Sequence, residues 1–276
     1  MPRRARLSVL AAEAVGPYTL LRLERGPIDP GIPGQFFMLE APGRLLPRPM
    51  SLCLAHEGEL GFLVDPIGPG TRALCSVETG DRIGLLGPLG NGFRLDVERP
   101  LLVGGGIGVA PFPYLSERLG GPPAVLGFRS AWHAEAAALV PNAEVVLEPT
   151  YVTEAMRAGH HVLACGPEPM LEAVRRLAPH AQLAWEAPMA CGYGACYGCA
   201  VEIDGELKRL CVEGPVLVAA PSHASRTPEG AATRALAASS VAPVASGYEH
   251  SLRPCDSGVS RLGRTSHAGG DRNAAA

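Results

Sequence analysis

The sequence predicts a multi-domain chain of mixed class: an N-terminal antiparallel β-barrel, a doubly wound parallel α/β sheet, a small cysteine-bearing C-terminal domain and a disordered tail. Three observations predict it. Short β-like runs punctuated by Gly and Pro fill residues 5–97, strand-like and helix-like runs alternate from Pro100, and four of the eight cysteines crowd between positions 191 and 211. A length of 276 residues accommodates two or three domains with buried cores. The boundaries read as 1–97, 98–185, 186–220 and 221–276.

In the first unit the β-like runs are Leu7–Ala11, Tyr18–Glu24, Gln35–Glu40, Ser51–Ala55, Leu60–Val64 and Arg82–Leu86. Many short strands joined by Gly and Pro turns at close intervals read as an antiparallel barrel or sandwich. The character changes at Pro100, where the apolar Leu101-Leu102-Val103 runs straight into Gly104-Gly105-Gly106-Ile107-Gly108. Val125–Phe128, Glu144–Glu148 and His161–Ala164 then alternate with helix-like Tyr114–Leu119, Val152–Ala158 and Glu168–Ala178, the order expected of parallel strands covered by helices. Glu186–Val218 sets four cysteines and glycines 192, 194, 198 and 205 between weak strands, a segment too short to fold without a metal. Pro221–Ala276, rich in Ala, Ser, Gly and Arg and without an apolar period, is expected to be disordered, and Cys255 within it has no local partner.

A formal net charge of −3 with no basic run offers no long-range attraction to nucleic acid or to an anionic membrane, so proteins and small cofactors are the expected partners. No apolar run reaches the ~18 residues of a transmembrane helix. The basic start and the step Ala12-Glu13-Ala14 imitate a signal peptide, but the apolar run is short and Glu13 interrupts it; an amphipathic first strand over Ala5–Ala11 is the better reading. Cysteines at metal-ligand rather than disulfide spacings favour a reducing cytoplasm.

Cys191-Gly-Tyr-Gly-Ala-Cys196-Tyr-Gly-Cys199, followed by Cys211, gives C-x4-C-x2-C with a more distant fourth cysteine. This is the spacing of plant-type 2Fe–2S centres. Ferric irons bridged by sulfide need strongly donating ligands, and four thiolates complete two tetrahedra. Glycines 192, 194 and 198 let the loop wrap such a group and turn amide hydrogens toward its sulfurs. A structural zinc would favour paired C-x2-C units, of which only one occurs, and buried free thiols would need no such spacing.

Arg48-Pro49-Met50-Ser51 opens a strand with a guanidinium fork, a proline-fixed backbone and a hydroxyl, a set that suits a phosphate or, read plainly, an exposed strand end. Gly68-Pro69-Gly70-Thr71 reads as a tight anion-facing turn, and Gly87-Pro88-Leu89-Gly90-Asn91-Gly92-Phe93 as a loop flexible enough to approach a ring system. Together they have the order and spacing of ferredoxin-reductase-like flavin domains, which makes Arg48, Pro49, Met50, Ser51, Gly70 and Thr71 candidate FAD contacts, with Leu63, Val64 and Asp65 at the end of the intervening strand.

The glycine run 104–108 follows a strand and precedes a helix, so its amides could hold a pyrophosphate. It departs from G-x-G-x-x-G at Val109, and a simple strand-to-helix turn is the plain alternative. Cys165-Gly166-Pro167-Glu168-Pro169-Met170 follows a second strand, and in a parallel sheet both loops lie at carboxyl ends, where ligands bind. Gly104, Gly105, Gly106, Gly108, Cys165, Gly166 and Pro167 are therefore candidate nicotinamide-nucleotide contacts. Cys165 would face the nicotinamide, although a strand-end cysteine is more often simply packed. Arg129, after Val125–Phe128, could meet a 2′-phosphate as easily as a ribose hydroxyl.

Residues 5–220 resemble the electron transfer subunit of the NAD-linked (type B) dihydroorotate dehydrogenase family, through Arg48–Ser51, Gly70-Thr71, Gly87–Phe93, Gly104–Pro111, Cys165–Pro167, Met170 and above all the string Met189–Cys199. The resemblance implies three redox groups shared by two proteins: the FMN of a catalytic partner that oxidises dihydroorotate to orotate in pyrimidine biosynthesis, and here a cluster on Cys191, Cys196, Cys199 and Cys211 and an FAD, with NAD as final acceptor. It further implies a heterotetramer of two plus two, and NAD over NADP. Between Glu144 and Val152 the chain is shorter than the family's Asp-Gly-Ser type loop, and after Ala220 it has no counterpart. Neighbouring readings are the small subunit of an NADH-dependent ferredoxin:NADP oxidoreductase, a sulfide dehydrogenase or hydrogenase diaphorase subunit, a free-standing reductase with a soluble acceptor, and a non-enzymatic redox-sensing iron–sulfur protein. The unbroken Met189–Cys199 string separates the first group, and a sensor needs no hydride site.

Overall fold

The structure, a computed structural model, describes residues 1–219; the tail reading for 221–276 and Cys255 lie outside them. The first unit opens with a hairpin of β1 (Arg3–Val15) and β2 (Tyr18–Glu24), turned at Gly16, whose φ of 56° suits a residue without Cβ. β3 (Phe36–Leu39), β4 (Arg48–Ser51), β5 (Leu54–His56), β6 (Glu59–Val64), α1 (Pro69–Cys75) and β7 (Arg82–Leu89) complete it. The strands form one antiparallel sheet in the order β4-β3-β7-β1-β2-β6-β5. Register shifts between Val9 and Ala11 and between Phe36 and Met38 bend it. Its edge strands β4 and β5 are consecutive in the chain, joined across buried Leu52 and Cys53. Phe37 and Phe62 meet edge to face at 5.6 Å among fully shielded Leu21, Leu23, Leu39 and Leu60.

Two details depart from the sequence reading. The run Ser51–Ala55 is split into β4 and β5, because the sheet turns its corner at Leu52–Cys53. Gly68–Thr71 starts helix α1 instead of forming an isolated turn: the Gly68 N–H donates to Thr71 Oγ1 (3.1 Å) and that hydroxyl donates back to the Gly68 carbonyl (3.2 Å), satisfying groups that a helix start leaves unpaired.

The second unit runs β8 (Pro100–Gly105), α2 (Phe112–Arg118), β9 (Ala124–Phe128), α3 (Ala131–Ala134), β10 (Ala143–Leu147), α4 (Val152–Ala155), β11 (His161–Cys165), α5 (Glu168–Leu177) and β12 (Gln182–Ala184). The cysteine segment then adds a hairpin, β13 (Ala200–Ile203) and β14 (Glu206–Arg209), and a last strand, β15 (Val216–Val218). The sheet order is β10-β9-β8-β11-β12-β15, parallel except for β15, which pairs antiparallel with β12. The cysteine segment thus leaves the sheet after β12 and returns a strand to it.

Alternation along β8 and β11 builds two cores. Leu102, Leu163 and Cys165 point to a core shared with Tyr18, Leu63 and Phe93 of the first unit. Leu101, Val103, Val162 and Ala164 point the other way, into a core with Leu171 and Val174 of α5, Met38 and Leu89 of the antiparallel sheet, and Cys199, Leu210 and Cys211. Buried Gln182 fastens the linker between the units: its Oε1 accepts the Arg94 N–H (2.6 Å) and its Nε2 donates to the Arg94 carbonyl (3.0 Å). Gln182→Leu leaves both backbone groups without partners at a cost of about 3 kcal/mol, and a thermal melt should show Tm lowered by several degrees; an unchanged melt would show that the clamp contributes nothing.

Candidate functional site

The loop after β12 brings the four cysteines together as two pairs. Cys199 and Cys211 are buried with their sulfurs 3.2 Å apart, and the Cys196 thiol hydrogen-bonds to Cys191. Burial alone would raise the Cys191 thiol, but donors from the backbone of Tyr193, Cys196 and Ala195 and from the Cys196 side chain outweigh it and bring the pKa down to about 6. Burial, and then the Cys199 sulfur beside it, push Cys211 up to about 12, so two thiolates there require a cation between them. Among the described residues no three His, Cys, Asp or Glu side chains converge as a single metal ion would need. Two pairs with inward amides fit a two-iron centre, two thiolates to each iron.

Glycine makes the loop possible. Gly192 has φ 79° and a Cβ there would lie 2.6 Å from Met38 Cγ; Gly194 has φ 88° and its Cβ would lie 2.7 Å from Val212 Cγ2. Asn91 clasps the far side, its N–H donating to the Gly214 carbonyl (2.6 Å) and its Nδ2 to the carbonyls of Glu213 (2.9 Å) and Val212 (3.3 Å). The loop Gly87–Phe93, expected to approach a ring system, therefore braces the cysteine segment: Cβ atoms at Gly90 and Gly92 would sit 2.6 Å from the carbonyl oxygens of Gly214 and Pro33.

On the edge strand β4, Arg48 through Ser51 are all half-buried. One terminal nitrogen of Arg48 donates to the carbonyls of Leu46 (2.8 Å) and Pro47 (3.2 Å). The guanidinium lies flat on Gly70, where a Cβ would come within 2.2 Å of Nε. Arg48 and the start of α1 are thus brought together, with Thr71 holding the helix cap. Leu63 and Val64 are buried and can offer a ligand only backbone.

At the carboxyl ends of β8, β9 and β11 opens a cavity of about 560 Å³, lined among others by Gly105, Gly106, Arg129, Glu148, Tyr151 and Pro167. The reversal of strand order falls between β8 and β11, where open α/β sheets bind ligands. Gly104 and Gly108 do not line it. A Cβ at Gly104 would meet the Phe112 ring at 2.7 Å, and one at Gly108 would meet the Cys165 carbonyl oxygen at 2.3 Å, so both glycines serve the approach of neighbouring backbone and core. Cys165 does not line it either: it is buried, and desolvation, reinforced by Glu186, holds its thiol well above the usual range and protonated. Gly166 is closed in by Met170 and the Gly105 amide.

The cavity also gathers residues the sequence reading left out: Tyr18 from the first unit, His133, Glu148 and the stretch Thr150 to Thr153. Asp65, assigned to the flavin, lines this cavity too, and burial raises its carboxyl. Burial and the nearby Asp65 push Tyr18 up to about 12. The available signal for His133 was its spacing from Arg129, one helical turn on.

Antiparallel and parallel units joined in this order, with a cavity at the strand switch point and an appended cysteine loop, define an iron–sulfur electron-transfer protein of the ferredoxin reductase-like class. Residues 186–220 match the family model described as the iron–sulfur cluster binding domain of dihydroorotate dehydrogenase B. A dihydroorotate dehydrogenase B (NAD(+)) electron transfer subunit from Caldanaerobacter subterraneus subsp. tengcongensis is 34% identical over 212 residues, 67% of this chain and 84% of that one. Its counterpart from Geobacillus thermodenitrificans is 38% identical over 215 residues, again 67% and 84%. In the solved structure of an NADH-dependent reduced ferredoxin-NADP oxidoreductase, one chain superposes with a TM-score of 0.67 at 23% identity, covering 78% of this chain and 88% of that one. The chain belongs to the family of dihydroorotate dehydrogenase B electron transfer subunits. No helix among the described residues is long and apolar enough to cross a membrane.

Gly108→Ala must push the β8 and β11 loops apart, costing about 1–3 kcal/mol. The expected result is a lower Tm together with a raised KM for the nicotinamide nucleotide; an unchanged KM would separate this contact from ligand binding.

Proposed function

We propose that this chain is the electron transfer subunit of an NAD-linked dihydroorotate dehydrogenase in pyrimidine biosynthesis, taking electrons from the FMN of a separate catalytic subunit and delivering them through a 2Fe–2S cluster and FAD to NAD+. The observation that carries this reading is the placement, within one compact unit, of the paired cysteines, the Arg48–Gly70 contact and the switch-point cavity. When bound, the cluster supplies one-electron transfer, the flavin couples one- to two-electron chemistry, and the nicotinamide leaves with a hydride.

The chain's residues supply position and charge. Cys191 with Cys196 and Cys199 with Cys211 hold the two irons, and the amides around Cys191 stabilise its thiolate. Arg48 grips the flavin's phosphate with the fork face turned away from the Leu46 and Pro47 carbonyls, and Ser51 adds a hydroxyl. The amides of Gly105 and Gly106 receive the dinucleotide pyrophosphate, and Pro167 borders the same cavity. Cys165, buried and protonated, shapes the wall behind the ring instead of exchanging protons. Residues 1–97 serve the flavin, 98–185 the nucleotide and 186–220 the cluster, with Val216–Val218 shared between the last two. The chain works in a complex of two plus two with the catalytic subunit in the cytoplasm, whose reducing poise keeps the thiols free of disulfides.

Anaerobic NAD+ reduction by dihydroorotate, with this chain co-purified with its catalytic subunit, tests the pathway. Activity that requires both chains is expected; a preparation that oxidises NADH but ignores dihydroorotate would move the partner to another system. Cys196→Ser should strip iron while leaving FAD bound, and Arg48→Ala should lower flavin at unchanged iron, both read by metal and flavin content. Loss of both groups in either variant would show that the two sites are not separately held.

A further inference from the structure

In a dinucleotide-binding parallel sheet, the residue just past the second strand meets the 2′ position of the adenosine ribose. A carboxylate there accepts from the hydroxyls and repels phosphate, whereas an arginine accommodates a 2′-phosphate. In this chain β9 is the second strand in sequence, and the residue just past it is Arg129, exposed at the cavity mouth.

The surroundings of Arg129 are organised. Its Nε donates to His133 Nε2 at 2.8 Å. That bond makes Nε2 the acceptor, so in the neutral ring Nδ1 carries the proton and donates to Ser130 Oγ, 2.8 Å away. The Ser130 hydroxyl hydrogen and the two terminal nitrogens of the guanidinium then have no hydrogen-bond partner among the described residues. The result is a guanidinium fork and a hydroxyl donor, side by side and with no acceptor of their own. A phosphate monoester dianion matches such a set, the fork taking two oxygens and the hydroxyl a third.

The assembly is also held in place. His133 stands edge-on to Tyr18 at 6.1 Å, and the Glu135 carboxylate accepts the Gly16 N–H at 3.0 Å. The Trp132 carbonyl presses on Gly16 so closely that a Cβ there would lie 2.1 Å away. The β1–β2 hairpin thus pins α3 and the turn before it. Two carboxylates face the cavity from other elements, Asp65 after β6 and Glu148 after β10, and among the described residues neither forms an ion pair with Arg129.

We infer that the nucleotide cavity admits a 2′-phosphorylated dinucleotide, NADP(H), beside NAD(H), with Arg129 and Ser130 as the 2′-phosphate contacts and His133 as their positioning residue. The inference rests on the assignment of this cavity to the nicotinamide nucleotide. It concerns a substrate outside the NAD(+) named for the family's relatives.

The test is calorimetric titration of the complex of this chain and its catalytic subunit with 5′-ADP and with 2′,5′-ADP, beside anaerobic flavin reduction by NADH and by NADPH. Binding of 2′,5′-ADP about tenfold or more tighter than 5′-ADP is expected, the worth of one charge-assisted contact set. NADPH should reduce the flavin. Arg129→Gln should erase most of the 2′,5′-ADP advantage and Ser130→Ala a smaller part. If 5′-ADP binds and NADH reduces the flavin, but 2′,5′-ADP binds no tighter and NADPH is inert, the inference falls and the cavity assignment stands. If neither ADP binds and neither dinucleotide reduces the flavin, both fall together.

Discussion

Everything in this protein depends on the two faces of its parallel sheet being buried against different neighbours. β8 and β11 send alternate side chains to opposite sides: Leu102 and Leu163 into the core shared with Tyr18, Leu63 and Phe93, and Leu101, Val103 and Val162 into the core shared with α5 and the cysteine segment. Neither the antiparallel sheet nor the cysteine segment keeps a private boundary with solvent on that side. The loops that line the cavity hang from strand ends whose positions these cores determine. A change in packing at Val103 or Leu163 therefore reaches sites far from either residue, since close-packed interiors transmit strain.

The second organising feature is close backbone approach. Gly108 lies against the Cys165 carbonyl, Gly90 against the Gly214 carbonyl, and Gly192 against Met38. Each contact joins segments distant in the chain, and each excludes a side chain. They lock the loops around the cavity that Gly105 and Gly106 line. Electrostatics then separates the roles of the cysteines. The Cys191 thiol is drawn down by backbone donors, whereas Cys165 is kept protonated by burial. The same residue type is readied for ionisation in one place and kept as packing in the other.

Much of this was legible from the residues alone. The pairing of Cys199 with Cys211 and of Cys191 with Cys196 follows from local spacing and from the glycines of the loop between them. The alternation of strands and helices after Pro100 likewise follows from short-range pattern. Other features were hidden. Helix α1 was read as a turn because its Gly-Pro-Gly start carries turn residues, and only the Thr71 cap and the packing of Leu74 make it helical. β15 was a short apolar run like many others until β12 offered it an open edge.

By itself the sequence determined the spacing of the four cysteines, the order of strands and helices and the glycine loops, because these are set by covalent spacing and by residues that only certain backbone conformations tolerate. The tertiary structure decided what those loops face. Gly87–Phe93 turned out to brace the cysteine segment, Gly104 and Gly108 to serve packing, and Tyr18, Asp65, Arg129 and His133 to share one cavity although the outermost two are more than a hundred residues apart in the chain. Such convergence depends on which strand ends the two shared cores bring side by side, a long-range outcome of packing that no local pattern in the chain encodes.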